Sequence, residues 1–159
     1  MSRQLLITLA AAVVVVGIAL YTTVSVNQKH LLTLEGSITN VRVEKLNGDS
    51  SLVILDFTAT NPSEVPFEMK EVGVERIDGT PVRGDVVGKA ETVRFMEYGK
   101  LAQTNPPTGM GDKIKAREKA SRMISARFDK PAPGLESGTY RIAFLDYNNV
   151  AAKIEGKKP

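Results

Sequence analysis

Two hydropathy patterns divide this chain of 159 residues. Leu5 to Leu20 is almost continuously apolar, interrupted only by Thr8 and Gly17, and no charged residue stands between Arg3 and Lys29. Tyr21 to Val26 continues the uncharged run with milder residues. At about 1.5 Å per helical residue, Leu5 to Val26 would span roughly 33 Å, close to a hydrocarbon core of about 30 Å. The pattern predicts a transmembrane anchor over residues 1–28, with a cleaved signal peptide ending near Gly17-Ile18-Ala19 as the alternative. Arg3 with the amino terminus on one flank, against Lys29 with Glu35 soon after on the other, predicts the N-terminus inside and the domain on the periplasmic or extracellular side.

Beyond residue 29 the period falls to two, the spacing of strands. Val41 and Val43 share one face of a first strand over Gly36 to Leu46, and Asn47-Gly48 predicts a tight hairpin turn. In Ser51 to Thr60, Val53, Leu55, Phe57 and Ala59 form one face. Leu52 and Ile54 give the other face an apolar start, and Asp56 marks where it is expected to become wet. Asn61-Pro62-Ser63 stops this strand, because proline cannot donate to a ladder. In Val65 to Ile77, Phe67 and Met69 have one parity and Val72 and Val74 the other, so a bulge or bend is expected near Lys70-Glu71.

Asp78-Gly79-Thr80-Pro81 reads as a turn, and Val82 to Val87 and Ala90 to Met96 as short strands. Gly99 to Gly111 is the longest loop. Lys113 to Ser121 fits a short helix or a charged edge strand, and Arg122 to Phe128 is extended. Tyr140, Ile142 and Phe144 alternate inward along the next strand. Tyr147-Asn148-Asn149 forms a hairpin loop, and Val150 to Ile154 is the return strand. The string predicts an all-β sandwich over residues 29–155, with a barrel as the close alternative, and a disordered tail over 156–159.

Composition sharpens this picture in two places. With no cysteine, disulfides, thiolate nucleophiles and cysteine metal sites are excluded. The net charge of +3 is small, but residues 112–130 hold seven Lys or Arg against three Asp or Glu, a local excess of four. Lys113, Lys115, Arg117, Lys119 and Arg122 are the candidates for contact with an anionic surface. The bland alternative is a charged edge that blocks strand pairing. The aromatics of a single-strand nucleic-acid platform are missing there, so no nucleic-acid partner is expected.

The stretch Phe57 to Met69, with its Asn61-Pro62 turn and Val65-Pro66-Phe67, resembles the late embryogenesis abundant group 2 (LEA14-like) proteins, or water stress and hypersensitive response domain. Asp78, Gly79 and Gly84, and Gly138-Thr139-Tyr140-Arg141, match more loosely. The resemblance implies an immunoglobulin- or fibronectin-III-like sandwich, often behind a membrane segment, with a role in desiccation stress and no catalytic residues to carry over.

Candidate chemistry is sparse. His30 is the single histidine and stands beside the apolar segment, away from any partner for a triad. Glu68, Glu71 and Glu75 are close in sequence but lack calcium-loop spacing, so neither metal nor cofactor is expected. Gly109-Met110-Gly111-Asp112-Lys113 lacks the phosphate-loop spacing and its Ser or Thr. The expected function is that of a single-pass, membrane-anchored, non-catalytic domain for binding, scaffolding or stress protection in the cell envelope, with the bilayer and an envelope protein as partners. One alternative is a lipid-binding or lipid-transfer accessory with a cavity that Val53, Leu55, Phe57 and Phe144 leave unfilled. The other is an envelope enzyme or enzyme subunit with a carboxylate-based site.

Overall fold

The computed structural model describes residues 14–16, 18 and 33–157. Eight strands form one curved sheet: β1 (Glu35–Lys45), β2 (Ser51–Thr60), β3 (Phe67–Arg76), β4 (Val82–Val86), β5 (Lys113–Ile114), β6 (Lys119–Phe128), β7 (Thr139–Asp146) and β8 (Ala151–Lys157). The order is β1-β2-β6-β4-β3-β7-β8, with β5 on β3. A helix, α1 (Lys89–Tyr98), follows β4.

β4 joins the two halves. Its first residues, Val82 to Gly84, pair with β3, whereas Asp85 and Val86 pair with β6. The strand thus turns the sheet from β1-β2-β6 to β3-β7-β8. Gly84 stands at that switch because a side chain there would strike the Phe128 ring, 2.6 Å from an ideal Cβ. All six pairings along the path are antiparallel, so β1 and β8 run in the same direction where they meet. They approach closely at Gly156 and Ile38, and no ladder between them is recorded among the described residues. The result is an all-β, nearly closed barrel or sandwich.

The period-two reading identifies most of this interior. Val53, Leu55, Phe57, Ala59, Ile124, Ala126, Phe128, Tyr140, Ile142 and Phe144 all point into one buried cluster. The Phe57 and Phe144 rings lie 5.6 Å apart, so residues named for an acyl-chain cavity pack on one another instead. The expected parity change in β3 is present as a register shift between Met69 and Glu71. Tyr140 donates from its hydroxyl to the Leu135 carbonyl oxygen at 2.6 Å, a tie typical of Greek-key corners. Burial pushes this phenol up to about 12.

Four expectations need correction. Among the described residues no helix is long and apolar enough to cross a membrane. A crossing needs about 20 consecutive helical residues. Of the expected anchor, only Val14 to Val16 and Ile18 are described, as exposed helical residues, and the rest of Leu5 to Val26 lies outside the described residues. The transmembrane helix, the signal-anchor, the bilayer as partner and the single-pass placement are therefore unsupported, and the membrane-anchored envelope function falls with them. His30 also lies outside the described residues.

Second, Ala90 to Met96 is helical, not extended: Thr92 and Met96, four apart, are its buried residues. Third, Asp56 is buried at 1% exposure, because the segment after α1 covers the face expected to be wet. Fourth, neither Asn47 nor Gly48 has positive φ. Instead the Asn47 side chain accepts the Asp49 and Ser50 amides at 2.9 and 2.8 Å, giving an Asx-type loop. At the other end of the chain, β8 continues past Glu155 to Lys157.

The β1–β8 seam makes a direct prediction. An ideal Cβ on Gly156 would lie 2.7 Å from Ile38 Cβ and 3.2 Å from its carbonyl oxygen. Gly156→Ala should cost about 1–3 kcal/mol in denaturant unfolding. Gly73→Ala, whose Cβ would meet only an Arg83 nitrogen at 3.7 Å, should cost much less. Equal effects would mean that the seam is not close-packed.

Candidate functional site

The long segment after α1 is a structural part of the barrel. β4 fills only the lower half of the slot between β6 and β3. Residues 106–114 fill the upper half: Met123 N–H donates to Pro106 O at 3.0 Å, and Thr108 N–H to Met123 O at 2.8 Å. On the other side, Met69 N–H donates to Asp112 O at 2.9 Å, Gly111 N–H donates to Met69 O at 2.8 Å, and β5 pairs with Phe67 and Glu68. α1 is the excursion between the two halves.

That excursion lies on the outer face of β2 and β6. Leu52, Ile54, Met96 and Met123 form a second buried cluster there, flanked by Phe95 and Leu101. Two polar contacts hold the helix down: Val87 N–H donates to Ser125 O at 2.9 Å, and the Thr92 and Ser125 hydroxyls form a short hydrogen bond.

Asp56 ties down the next stretch. Its Oδ1 accepts from the Thr104 hydroxyl at 2.5 Å and the Asn105 amide at 2.9 Å. Its Oδ2 accepts from Asn40 and from Arg42 Nη2, each at 3.3 Å. Arg42 in turn donates to Ala102 O at 2.6 Å and to the Thr104 hydroxyl at 3.1 Å. A register shift between Ile38 and Asn40 aims Asn40 and Arg42 at this carboxylate.

Asp112 ties down the last stretch. Lys89 Nζ contacts it at 2.6 Å, and the Thr108 hydroxyl and Gly109 N–H each donate at 3.0 Å. Burial pushes its carboxyl up, but the Lys89 ammonium and the two hydrogen bonds outweigh this and hold it below 3.8.

Between α1, the β1–β2 loop and the ends of β4 and β6 lies a groove of about 500 Å³. Leu52, Val86 and Phe95 line it with apolar surface, and Asp85, Glu91 and Arg127 stand around it. Arg127 pairs with Asp85 at 3.6 Å and with Asp129 at 3.8 Å. No ion pair to Glu91 is recorded among the described residues, so the rim keeps negative charge. Sequence reasoning missed Glu91 and Phe95 because it read their helix as a strand. The signals were there: Thr92 and Met96 four apart, Glu91 in the first turn, and Gly88 and Gly99 at the ends.

The predicted basic residues lie at the opposite end of the same sheet. Lys113 is in β5, Lys115 and Arg117 follow it, and Lys119 and Arg122 open β6. The fold brings them together but neutralises three: Lys113 pairs with Glu68 at 2.8 Å, Arg117 with Glu64 at 3.1 Å, and Arg122 meets Glu118 at 3.9 Å. Lys115 and Lys119 are exposed and have no recorded acidic partner among the described residues. The neighbouring Asn61 is fully buried and donates to Val65, Ile114 and Lys115 carbonyls at 2.8 to 3.1 Å. It is a structural knot rather than a simple strand stop. Among the described residues no three His, Cys, Asp or Glu side chains converge as metal ligands would.

No family model matches the chain, and no curated protein matches it. Among solved structures it is similar to the Bacillus subtilis protein ycdA, with 11% identity and a TM-score of 0.44, over 79% of this chain and 38% of that one. It is similar to an uncharacterized β-sandwich protein of Clostridium difficile, with 10% identity and a TM-score of 0.38, over 77% and 85%. A third is the archaellum periplasmic stator complex of FlaF and FlaG from Sulfolobus acidocaldarius, with 13% identity and a TM-score of 0.37, over 79% and 90%. Likenesses this low carry no functional argument.

Two variants test the ties. Asp56→Ala leaves Thr104, Asn105 and Arg42 without their acceptor and should cost about 3 kcal/mol. Amide exchange should accelerate in residues 99–107 before it does in β7. A uniform acceleration would rule out a local tie. For Asp112, the folded pKa is depressed, so its stabilising share is complete above 3.8 and is lost as pH falls through the folded value. Asp112→Asn should therefore be less stable than the parent at pH 7, with the gap closing in acid. A gap that persists at pH 2 would mean the charge is irrelevant.

Proposed function

We propose that this domain is a binding module whose groove beside α1 holds a segment of another polypeptide, an apolar side chain flanked by basic ones. The groove itself carries the reading: a concavity of about 500 Å³ walled by Val86 and Phe95 over the buried Leu52, with Asp85 paired to Arg127 on its rim and Glu91 without a recorded ion pair among the described residues. Apolar concavities with a few placed polar groups are the usual form of recognition sites. The buried polar residues Asp56, Asn61 and Asp146 serve the fold, each accepting from or donating to neighbouring loops. The stretch that resembles the late embryogenesis abundant group 2 proteins is likewise occupied in building the β2–β3 turn, so the binding reading rests on the groove.

The test is site-specific photo-crosslinking in the native host. A photoreactive residue at Asn47 should give a discrete adduct, and one at Lys153, exposed on β8, should not. Glu91→Lys should reduce the Asn47 adduct by about tenfold, the equivalent of about 1.4 kcal/mol. Equal labelling at Asn47 and Lys153, or an adduct indifferent to Glu91, would refute the reading.

A further inference from the structure

The two ends of the sheet complement one another. β2 runs from Ser51 at the groove to Thr60 beside the basic turn, and β6 returns from Lys119 to Arg127 and Phe128. Ten residues of strand separate the ends by roughly 33 Å. One end presents a concave apolar floor with acidic rim residues. The other presents Lys115 and Lys119, which have no recorded acidic partner among the described residues, near Val65, which is 49% exposed, and Tyr147 on the β7–β8 loop is 60% exposed. Exposed apolar side chains of this size, away from the core and beside cations, match the chemistry that the groove would hold.

We infer that the occupant of the groove is the basic end of a second copy of this chain, so that the domain associates head to tail. The inference rests on the binding reading above. The two patches lie at opposite ends and differ in shape and charge, so the contact is heterologous. Each bound copy leaves one groove and one basic end free, and association continues unless the rotation closes a ring. Val65 or Tyr147 would supply the apolar insertion, and Lys115 and Lys119 would meet Glu91 and Asp85, the latter in competition with Arg127. The charge pairs lie at the rim, so salt weakens the contact.

Two charge-reversal variants of the full chain test this by sedimentation velocity. Lys115→Glu/Lys119→Glu disables the basic end and keeps the groove. Asp85→Lys/Glu91→Lys disables the groove and keeps the basic end. The parent should show a mass that rises with concentration and falls when salt goes from about 50 to about 500 mM. Each variant alone should self-associate at least about tenfold more weakly. Mixed, they should regain association, since the intact groove meets the intact basic end and the two reversed surfaces again oppose unlike charges. Misfolded variants could not regain it. Retained parental association in either variant, a mixture no heavier than its components, or a parent monomeric throughout would each overturn the inference. An Asn47 photo-adduct with a different protein would also overturn it, while leaving the groove a binding site. Loss of any groove-specific adduct would remove both.

Discussion

A buried carboxylate is costly unless it is surrounded by donors, and Asp56 meets that condition by recruiting from two other parts of the chain. Asn40 and Arg42 come from β1, and Thr104 and Asn105 come from a segment almost 50 residues downstream. Much of the outer architecture depends on this convergence. With the strap fastened, α1 lies flat on β2 and β6, and Leu52, Ile54, Met96 and Met123 leave water together. The groove exists because the helix is held there: Phe95 forms one wall, Val86 another, and the buried Leu52 lies beneath them.

Asp56 also shows where strand alternation stops being informative. Period two correctly separates Val53, Leu55 and Phe57 from Leu52 and Ile54, because both sets of neighbours are local in the sheet. It cannot reveal that the polar-looking end of the second face will be covered, since the cover comes from residues 99–105. The β3 bulge was legible for the opposite reason: the chain cannot move its apolar residues from one face to the other without an extra residue. The α1 error has a related cause. Val93 and Phe95 have strand propensity, but the decisive contact is Thr92 and Met96 against β6, a tertiary fact that overrides the local preference.

The basic stretch was legible as composition and not as electrostatics. A count of seven cations against three anions omits Glu64 and Glu68, which the β2–β3 turn and β3 bring to Arg117 and Lys113. Folding therefore leaves two lysines of the named five without a recorded acidic partner. Likewise, the Asn61-Pro62 turn looked like punctuation. Its amide binds three carbonyls from two segments, and it joins the end of β2 to the turn preceding β6. The apolar N-terminal run suggested a membrane helix by length and hydropathy alone, and no helix among the described residues meets that requirement.

The division of one strand slot between β4 and residues 106–114 connects these observations. A single continuous strand between β6 and β3 would have closed the barrel with no excursion and no groove. Because β4 stops at Val86, the chain must leave the sheet, and it must return to satisfy the exposed edges of β6 and β3. Pro106, Thr108, Gly111 and Asp112 provide that return. The excursion places α1 and its acidic rim toward one end, and the return places β5 and the cationic turn at the other. The polarity of the domain thus follows from the interruption of one strand, with Asp56 and Asp112 fixing the two halves of the detour.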